Sequence, residues 1–183
     1  MKRLFAVLGL GVALSGAVAG TAMAELKAGA SAPNFTVPAT LGGKEFTFTL
    51  ANALKKGPVV VYFYPAAFTK GCTIEAHEFA AAMDQYKALH TTVIGVSHDK
   101  IAKLDDFSKS ECQSKFPVAA DPEGKVIGDY DAKLSIAPGL ANRTSYVITP
   151  DMKVLYAYSN LSPEKHVENT LEAIKGWEAA HKG

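Results

Sequence analysis

The stretch PVVVYFYPAAFTKGCTIEA, residues 58–76, decides the fold. Its first part, residues 58–64, is apolar on both faces of a strand, which is typical of a strand in the middle of a sheet. Farther along, Ala76 and Phe79 begin a series of apolar residues at helical spacing, which predicts a helix over residues 72–89. A buried strand followed directly by a helix is typical of an α/β protein.

The rest of the chain continues this alternation. The expected elements, in chain order, are an irregular segment over residues 25–38, a strand over 44–50 behind a Gly42-Gly43 turn, a buried strand over 92–97, a helix marked by Ile101, Leu104 and Phe107, a short strand and turn over 116–126, a hairpin over 143–159, and a helix starting at Ser162-Pro163. Parallel strands followed by an antiparallel hairpin predict a three-layer sandwich with a mixed central sheet. This is the order of the thioredoxin fold.

The first 24 residues are expected to be a signal peptide. Lys2 and Arg3 precede an apolar run over residues 4–20, and Ala22-Met23-Ala24 places small residues where signal peptidase reads them. Cleavage after Ala24 would leave residues 25–183 as one domain in the periplasm or outside the cell. An uncleaved membrane anchor is the alternative, because residues 4–24 are just long enough to span a bilayer. The Gly and Ala content and the A-x-A ending favour cleavage.

Composition excludes several classes of partner and site. The chain has 19 basic and 18 acidic side chains, and these are interspersed without a basic stripe. Nucleic acid and anionic membrane surfaces are therefore not expected as partners. None of the 5 histidines has metal-ligand spacing with another histidine or a cysteine, so no metal site is expected. The two cysteines, Cys72 and Cys112, form an even count, which in an exported protein favours a structural disulfide.

The neighbours of Cys72 favour a reactive thiol instead. If Thr69 is the N-cap of the helix, Cys72 is the third helical residue, where unpaired N–H groups and the helix dipole favour an anion. A cysteine supplies that anion only by ionising. Gly71 indicates a close approach beside the sulfur, Thr69 offers a hydroxyl, and Pro65 is placed to shield the thiolate. A reactive site of this kind still lacks a cation.

The spacing Pro65-x-x-x-Thr69-x-x-Cys72 resembles the active-site motif of the peroxiredoxins. Three further blocks resemble segments of that family and occur in its order, namely GVSHD over residues 95–99, FPVAADPEGKV over 116–126 and RTSYVITPD over 143–151. The resemblance covers residues 30–177 and is closest to the bacterioferritin comigratory, or Q-type, peroxiredoxins. It implies a thioredoxin-like fold and a thiol-dependent peroxidase that uses no cofactor.

The resemblance implies a role for each residue of the motif. Cys72 would attack the O–O bond of hydrogen peroxide or an organic hydroperoxide and become a sulfenic acid. Thr69 would hydrogen-bond the peroxide, Pro65 would cover the thiolate, and Arg143 would be the missing cation. From the sequence alone, an arginine at position 143 is more often a solvated loop charge, and only the motif context favours a place in the site. Glu75 would either orient an arginine or form a plain salt bridge along its helix.

The resemblance leaves open how the sulfenic acid is resolved. Many Q-type members carry a second cysteine at the position that His77 occupies here. Cys112 is expected near the apolar edge of the helix that begins near Ile101, and some family members resolve from this helix. This implies an intramolecular Cys72–Cys112 disulfide. If the two Cα atoms start more than about 7 Å apart, the first turn around Cys72 must unwind as that bond forms. The alternative is that Cys112 is a small buried core residue and that the enzyme uses only one cysteine.

The implied partners are a hydroperoxide and an exported thiol reductant, either a thioredoxin-like protein or a small thiol. A monomer without stable membrane association after cleavage is expected. Two other functions stay open. A thiol–disulfide oxidoreductase is disfavoured because Thr69 and Glu75 stand where a Cys-x-x-Cys partner would be. A non-catalytic exported domain with a structural Cys72–Cys112 disulfide would give no shared role to Thr69, Pro65 and Arg143.

Overall fold

The computed structural model describes residues 25–137 and 139–181, so the expected signal peptide over residues 1–24 lies outside the described residues. The elements in chain order are β1 (Thr36–Leu41), β2 (Lys44–Thr49), α1 (Leu50–Leu54), β3 (Val59–Phe63), α2 (Lys70–Ala88), β4 (Thr92–Ser97), α3 (Ile101–Ser110), β5 (Val118–Ala120), α4 (Lys125–Asp129), β6 (Thr144–Ile148), β7 (Val154–Ser159) and α5 (His166–His181). None of these helices is both long and apolar enough to cross a membrane.

The strands form one mixed sheet in the order β2-β1-β5-β4-β3-β6-β7. Strands β3, β4 and β5 run parallel to one another, whereas β1, β2, β6 and β7 pair with their neighbours in the antiparallel sense. The prediction of an α/β sandwich with a mixed central sheet is confirmed.

Side chains of β3 supply both faces of the core. Val59, Val61 and Phe63 pack into a cluster with α1 and α4, and Val60 and Tyr62 pack into a second cluster with the long helices. All five residues of the strand are buried. Since one strand fills two hydrophobic layers, the apolar run over residues 58–64 marks the centre of the sheet.

The structure corrects three element predictions. Strand β1 occupies residues 36–41, so it starts within the segment over residues 25–38 that was expected to be irregular. It forms a hairpin with β2 through Gly42 and Gly43, both at positive φ. The short helices α1 and α4 were not predicted, because five residues carry too little periodicity to recognise. Helix α5 begins at His166 rather than at Ser162, whose hydroxyl bonds to Glu164.

The topology brings distant parts of the chain to one edge of the sheet. The carboxyl ends of the parallel strands β3 and β4 lead into the loops before α2 and α3. Strand β6 runs antiparallel to β3, with Thr144 opposite Phe63. Arg143, immediately before β6, therefore lies at the edge where β3 leads through Pro65 into α2.

Candidate active site

Cys72 lies in the first turn of α2, as the sequence predicts. Thr69 is the N-cap with extended backbone angles, which makes Cys72 the third helical residue. The Thr69 hydroxyl does not cap the helix; it donates a hydrogen bond to the carbonyl oxygen of Ala66 at 3.0 Å. The Thr69 oxygen, on an exposed residue, keeps its acceptor capacity. Cys72 itself is only 2% exposed, so a thiolate there would depend on nearby donors and charge.

The guanidinium of Arg143 provides the cation at this site. Its Nη2 donates to the Sγ of Cys72 at 3.5 Å, its Nη1 donates to Oε2 of Glu75, and its Nε donates to the carbonyl oxygen of Leu161 at 2.8 Å. Burial alone would lower the pKa of Arg143, but the charges of Glu75 and Cys72 more than offset it and raise that pKa. Arg143 is a buried, fixed charge rather than a solvated loop residue.

Gly71 leaves free the space that the guanidinium of Arg143 needs. A Cβ atom placed on Gly71 would lie 3.0 Å from Nη2 of Arg143, closer than an ordinary carbon–nitrogen contact. The missing side chain therefore admits Arg143 to the sulfur. The close approach expected at Gly71 from the sequence is made by this arginine.

Glu75 lies one turn after Cys72 and is fully buried. It contacts Arg143 rather than a basic residue of its own helix, so the geometry favours the orienting role over a plain helix salt bridge. Burial raises the pKa of Glu75 to about 8, with Arg143 opposing the rise. Its second oxygen, Oε1, has no hydrogen-bond partner in the described part of the chain and lies 3.7 Å from Nδ1 of His166.

The loop from Pro65 to Thr69 is held by Asp99, a residue for which the sequence analysis predicted no role. Asp99 Oδ2 accepts hydrogen bonds from the backbone N–H of Ala67 at 2.7 Å and from the hydroxyl of Ser97 at 3.0 Å. Pro65 is half-buried in this loop. The GVSHD block contains Asp99, and its position after a buried strand was the signal that could have identified it.

Phe68, in the same loop, adopts a left-handed backbone with φ of 68°. This conformation is strained for a residue with a bulky side chain. Its half-exposed ring meets Phe107 of α3 edge-on, with ring centroids 5.2 Å apart. The loop conformation before Thr69 is thus fixed by a hydrogen bond on one side and by an aromatic contact on the other.

Cys112 lies outside the helix on which the sequence placed it. Helix α3 ends at Ser110, and Cys112 sits in the following turn, where its N–H bonds to the carbonyl oxygen of Phe107 at 3.1 Å. Its side chain is fully buried in the same apolar cluster as Cys72, and burial raises the pKa of the Cys112 thiol. Both cysteines are free in this structure.

His77 occupies the helix position that carries the resolving cysteine in many Q-type peroxiredoxins. Its Nε2 lies 2.9 Å from Oε2 of Glu111, the residue next to Cys112. Residues 25–137 and 139–181 contain no group of three or more His, Cys, Asp or Glu side chains that could hold a metal ion.

Comparison with known proteins assigns the chain to a family. A model described as the AhpC/TSA family matches residues 28–157. The chain is 34% identical over 148 residues to peroxiredoxin Q of Oryza sativa, covering 80% of this chain and 66% of that protein, just under two thirds of its length. It is 30% identical over 153 residues to a putative peroxiredoxin of Mycobacterium tuberculosis, covering 82% and 97% of the two chains.

Solved structures agree with this assignment. The peroxidoxin BcpB of Mycobacterium tuberculosis superposes with a TM-score of 0.75 at 29% identity, covering 82% of this chain and 97% of that one. A PrxQ mutant of Xylella fastidiosa superposes with a TM-score of 0.75 at 22% identity, covering 85% and 99%, and shows the shared fold. The chain belongs to the AhpC/TSA family and resembles the Q-type peroxiredoxins within it. Peroxiredoxins are thiol-dependent peroxidases that use a peroxide substrate and a thiol reductant.

Proposed function

We propose that this peroxiredoxin reduces hydrogen peroxide and organic hydroperoxides through the thiolate of Cys72. The observation that carries the proposal is the contact between Nη2 of Arg143 and Sγ of Cys72 at 3.5 Å, in the first turn of α2. A fixed buried cation and a helix N-terminus both favour negative charge on the sulfur. They also meet the developing charge of the transition state without reorganising.

The proposed reaction begins with attack of the Cys72 thiolate on the terminal oxygen of the hydroperoxide. A sulfur lone pair forms the new S–O bond to the terminal oxygen. The O–O bond breaks, and its electron pair leaves with the other oxygen as hydroxide or alkoxide. That anion takes a proton and departs as water or alcohol, while Cys72 becomes a sulfenic acid. The positive charge of Arg143 faces the negative charge that develops on both oxygens. The Thr69 hydroxyl donates its own hydrogen to the Ala66 carbonyl, so its oxygen accepts a hydrogen bond from the O–H of the peroxide.

We further propose that Cys112 resolves the sulfenic acid. Its sulfur would attack Sγ of Cys72 and release water, which leaves an intramolecular disulfide for an external dithiol to reduce. Such a bond requires Cα atoms within about 7 Å of each other. Cys72 is fixed in the first turn of α2, and Cys112 is buried beyond the end of α3. If the two Cα atoms lie farther apart than about 7 Å in the reduced protein, the first turn of α2 must unwind during each cycle.

Residues 1–24 support a proposal about location. The positive start, the apolar run and the A-x-A ending favour export with cleavage after Ala24. The reductant of an exported enzyme must act outside the cytoplasm, either as a thioredoxin-like protein or as a small thiol. We propose that the exported protein is a monomer without lasting membrane association.

A steady-state assay tests the proposed function. Residues 25–183 would be mixed with dithiothreitol and either hydrogen peroxide or cumene hydroperoxide, and the loss of peroxide would be followed. We expect consumption well above that of dithiothreitol alone, and its loss in Cys72→Ser, an almost isosteric change. Peroxide consumption that survives unchanged in Cys72→Ser would overturn the proposal.

A further inference from the structure

The end of β7 holds Arg143 through two main-chain contacts. Strand β7 is the outermost strand on its side of the sheet, and its last residue, Ser159, lies opposite Thr144 of β6. The N–H of Asn160 donates to the carbonyl oxygen of Arg143 at 3.1 Å. The carbonyl oxygen of Leu161 accepts from Nε of the same arginine at 2.8 Å. The place of the guanidinium beside the reactive sulfur therefore depends on where this strand end lies.

The chain before β1 fastens both ends of β7. At the beginning of the strand, Val154 exchanges backbone hydrogen bonds of 2.8 and 2.9 Å with Gly29 and Ala30. At its end, the hydroxyl of Ser159 donates to Oε2 of Glu25 at 2.6 Å. The ends of an outer strand fray unless other groups hold them. The contact with Glu25 fastens β7 at the end where the chain goes on to meet the arginine.

The direction of the hydrogen bonds at this strand end follows from the groups involved. The carboxylate of Glu25 can only accept, so Ser159 donates its one hydroxyl hydrogen to it. The 2.8 Å contact between the hydroxyls of Ser159 and Thr144 is then donated by Thr144. Strands β6 and β7 are thus joined, next to Arg143, by a directed chain of hydrogen bonds that ends on a carboxylate. Hydrogen bonds to a charged acceptor are stronger than bonds between neutral groups.

Leu26 holds Glu25 in place. Its N–H donates to the hydroxyl of Tyr146, a residue of β6, at 3.1 Å, and its side chain packs against the apolar cluster below the sheet that contains Val59 and Phe63. Glu25 therefore extends from a residue that is itself bound to the sheet, so its carboxylate is fixed relative to β6 and β7.

We propose that Glu25 is a positioning residue for the reaction of Cys72. Its contact with Ser159 fixes the strand end that holds Arg143 beside the sulfur. The inference rests on the proposed function, because it assigns Glu25 to the groups that place the cation. The proposed cleavage after Ala24 would keep this carboxylate in the exported protein, as its first residue.

The test measures the second-order rate constant of Cys72 oxidation by hydrogen peroxide in single turnovers of residues 25–183. Glu25→Ala should lower it by about three- to tenfold, because the Ser159 hydroxyl loses its acceptor and the strand end is released. Glu25→Gln keeps an acceptor oxygen at the same place, so most of the rate should return. Alkylation of Cys72 by iodoacetamide, which reports the reactivity of the sulfur without peroxide, should slow in the same order.

Two comparisons separate positioning from a general loss of stability. Thr36→Val removes a hydroxyl pair of 3.0 Å between β1 and β2, far from β7 in the strand order, and should keep the wild-type rate. In an Arg143→Lys background, Glu25→Ala should have little further effect, because Glu25 acts through the arginine.

Circular dichroism verifies that each variant is folded. A wild-type rate in folded Glu25→Ala, an equal loss in Glu25→Gln and Glu25→Ala, or full additivity with Arg143→Lys would overturn the proposal. If wild type itself lacks peroxidase activity, the proposed function fails, and this inference fails with it.

Discussion

Nη2 of Arg143 lies 3.5 Å from Sγ of Cys72, although the two residues are 71 positions apart in the chain. The contact follows from the topology of the sheet. Strand β6 pairs antiparallel with β3, and Thr144 lies opposite Phe63, so the residue before β6 meets the loop after β3. Because both side chains are almost completely buried, solvent screens their interaction little.

Arg143→Lys is expected to slow peroxide attack by about a hundredfold or more, because one ammonium cannot reproduce the planar contacts to Cys72, Glu75 and the Leu161 carbonyl together. Stopped-flow oxidation of the reduced variant measures the effect. Circular dichroism verifies that the variant is folded. A wild-type rate in a folded variant would remove Arg143 from the site.

Gly71→Ala is expected to slow Cys72 oxidation several-fold, since the new Cβ would lie 3.0 Å from Nη2 of Arg143, whose guanidinium is fixed by three contacts. The free energy of unfolding should change little, because alanine gains up to about 1 kcal/mol of helix propensity over glycine and this gain offsets the cost of the close contact. Gly176→Ala is the matched control, since nothing lies near its Cβ position in α5. Equal rate constants in the two variants would contradict this account of Gly71.

Asp99→Asn is expected to slow Cys72 oxidation, because a neutral amide oxygen accepts the hydrogen bonds from Ala67 and Ser97 more weakly than the charged carboxylate does. The loop carrying Pro65 and Thr69 would then lose part of its support. Lys103→Ala removes only the exposed ion pair and should have almost no effect. The idea fails if Asp99→Asn and Lys103→Ala have the same rate constant as wild type.

The buried carboxyl of Glu75 predicts a specific pH dependence of stability. Its pKa rises from 4.5 unfolded to about 8 folded, so the folded protein binds the extra proton and the free energy of unfolding falls as pH rises through this window. The pKa of His166, lowered from 6.5 to about 4, acts in the opposite sense, but only below pH 6.5. Between these limits, from pH 6.5 to 8, the contribution of Glu75 should fall by about 1–2 kcal/mol.

Urea unfolding at pH 6.5 and pH 8 measures this change, with Glu75→Gln as the comparison. The amide cannot titrate, so the variant should lose the part of the pH dependence that Glu75 causes. Identical pH dependence in the two proteins would show that the carboxyl of Glu75 is already ionised throughout this range.

Cys112→Ser is expected to leave the first oxidation of Cys72 unchanged but to stop turnover with dithiol reductants such as thioredoxin. Serine is close to isosteric, but it cannot attack the sulfenic acid to form a disulfide. Coupled turnover assays measure the second half of the cycle. Undiminished turnover would make the protein a one-cysteine enzyme and assign Cys112 to the core.

The sequence was sufficient for those features that local patterns encode. The apolar run over residues 58–64 predicted the central strand, and the N-cap at Thr69 placed Cys72 in the first turn of α2. Arg143 required the family resemblance, because a basic residue before a strand carries no local sign of burial. Asp99 contacts the loop before α2 across a long stretch of chain, and no periodicity reveals such a contact.

Cys112 shows why the end of a helix is hard to predict. Eleven residues after Ile101 correspond to about three helical turns, which placed Cys112 on α3. The helix instead ends at Ser110, and Gln113 and Ser114 adopt left-handed backbone angles that turn the chain towards β5. Neither residue is a glycine, so the usual signal for such a turn is missing.

The most direct test of the central claim, that Cys72 is the reactive thiolate, is the intact mass of reduced residues 25–183 after millisecond mixing with one equivalent of hydrogen peroxide. The account predicts rapid gain of one oxygen at Cys72, followed by loss of water as a Cys72–Cys112 disulfide forms. Peptide mapping locates both changes. If neither change appears and Cys72 reacts no faster than a free cysteine, the site around Arg143 does not activate the sulfur and the account is contradicted.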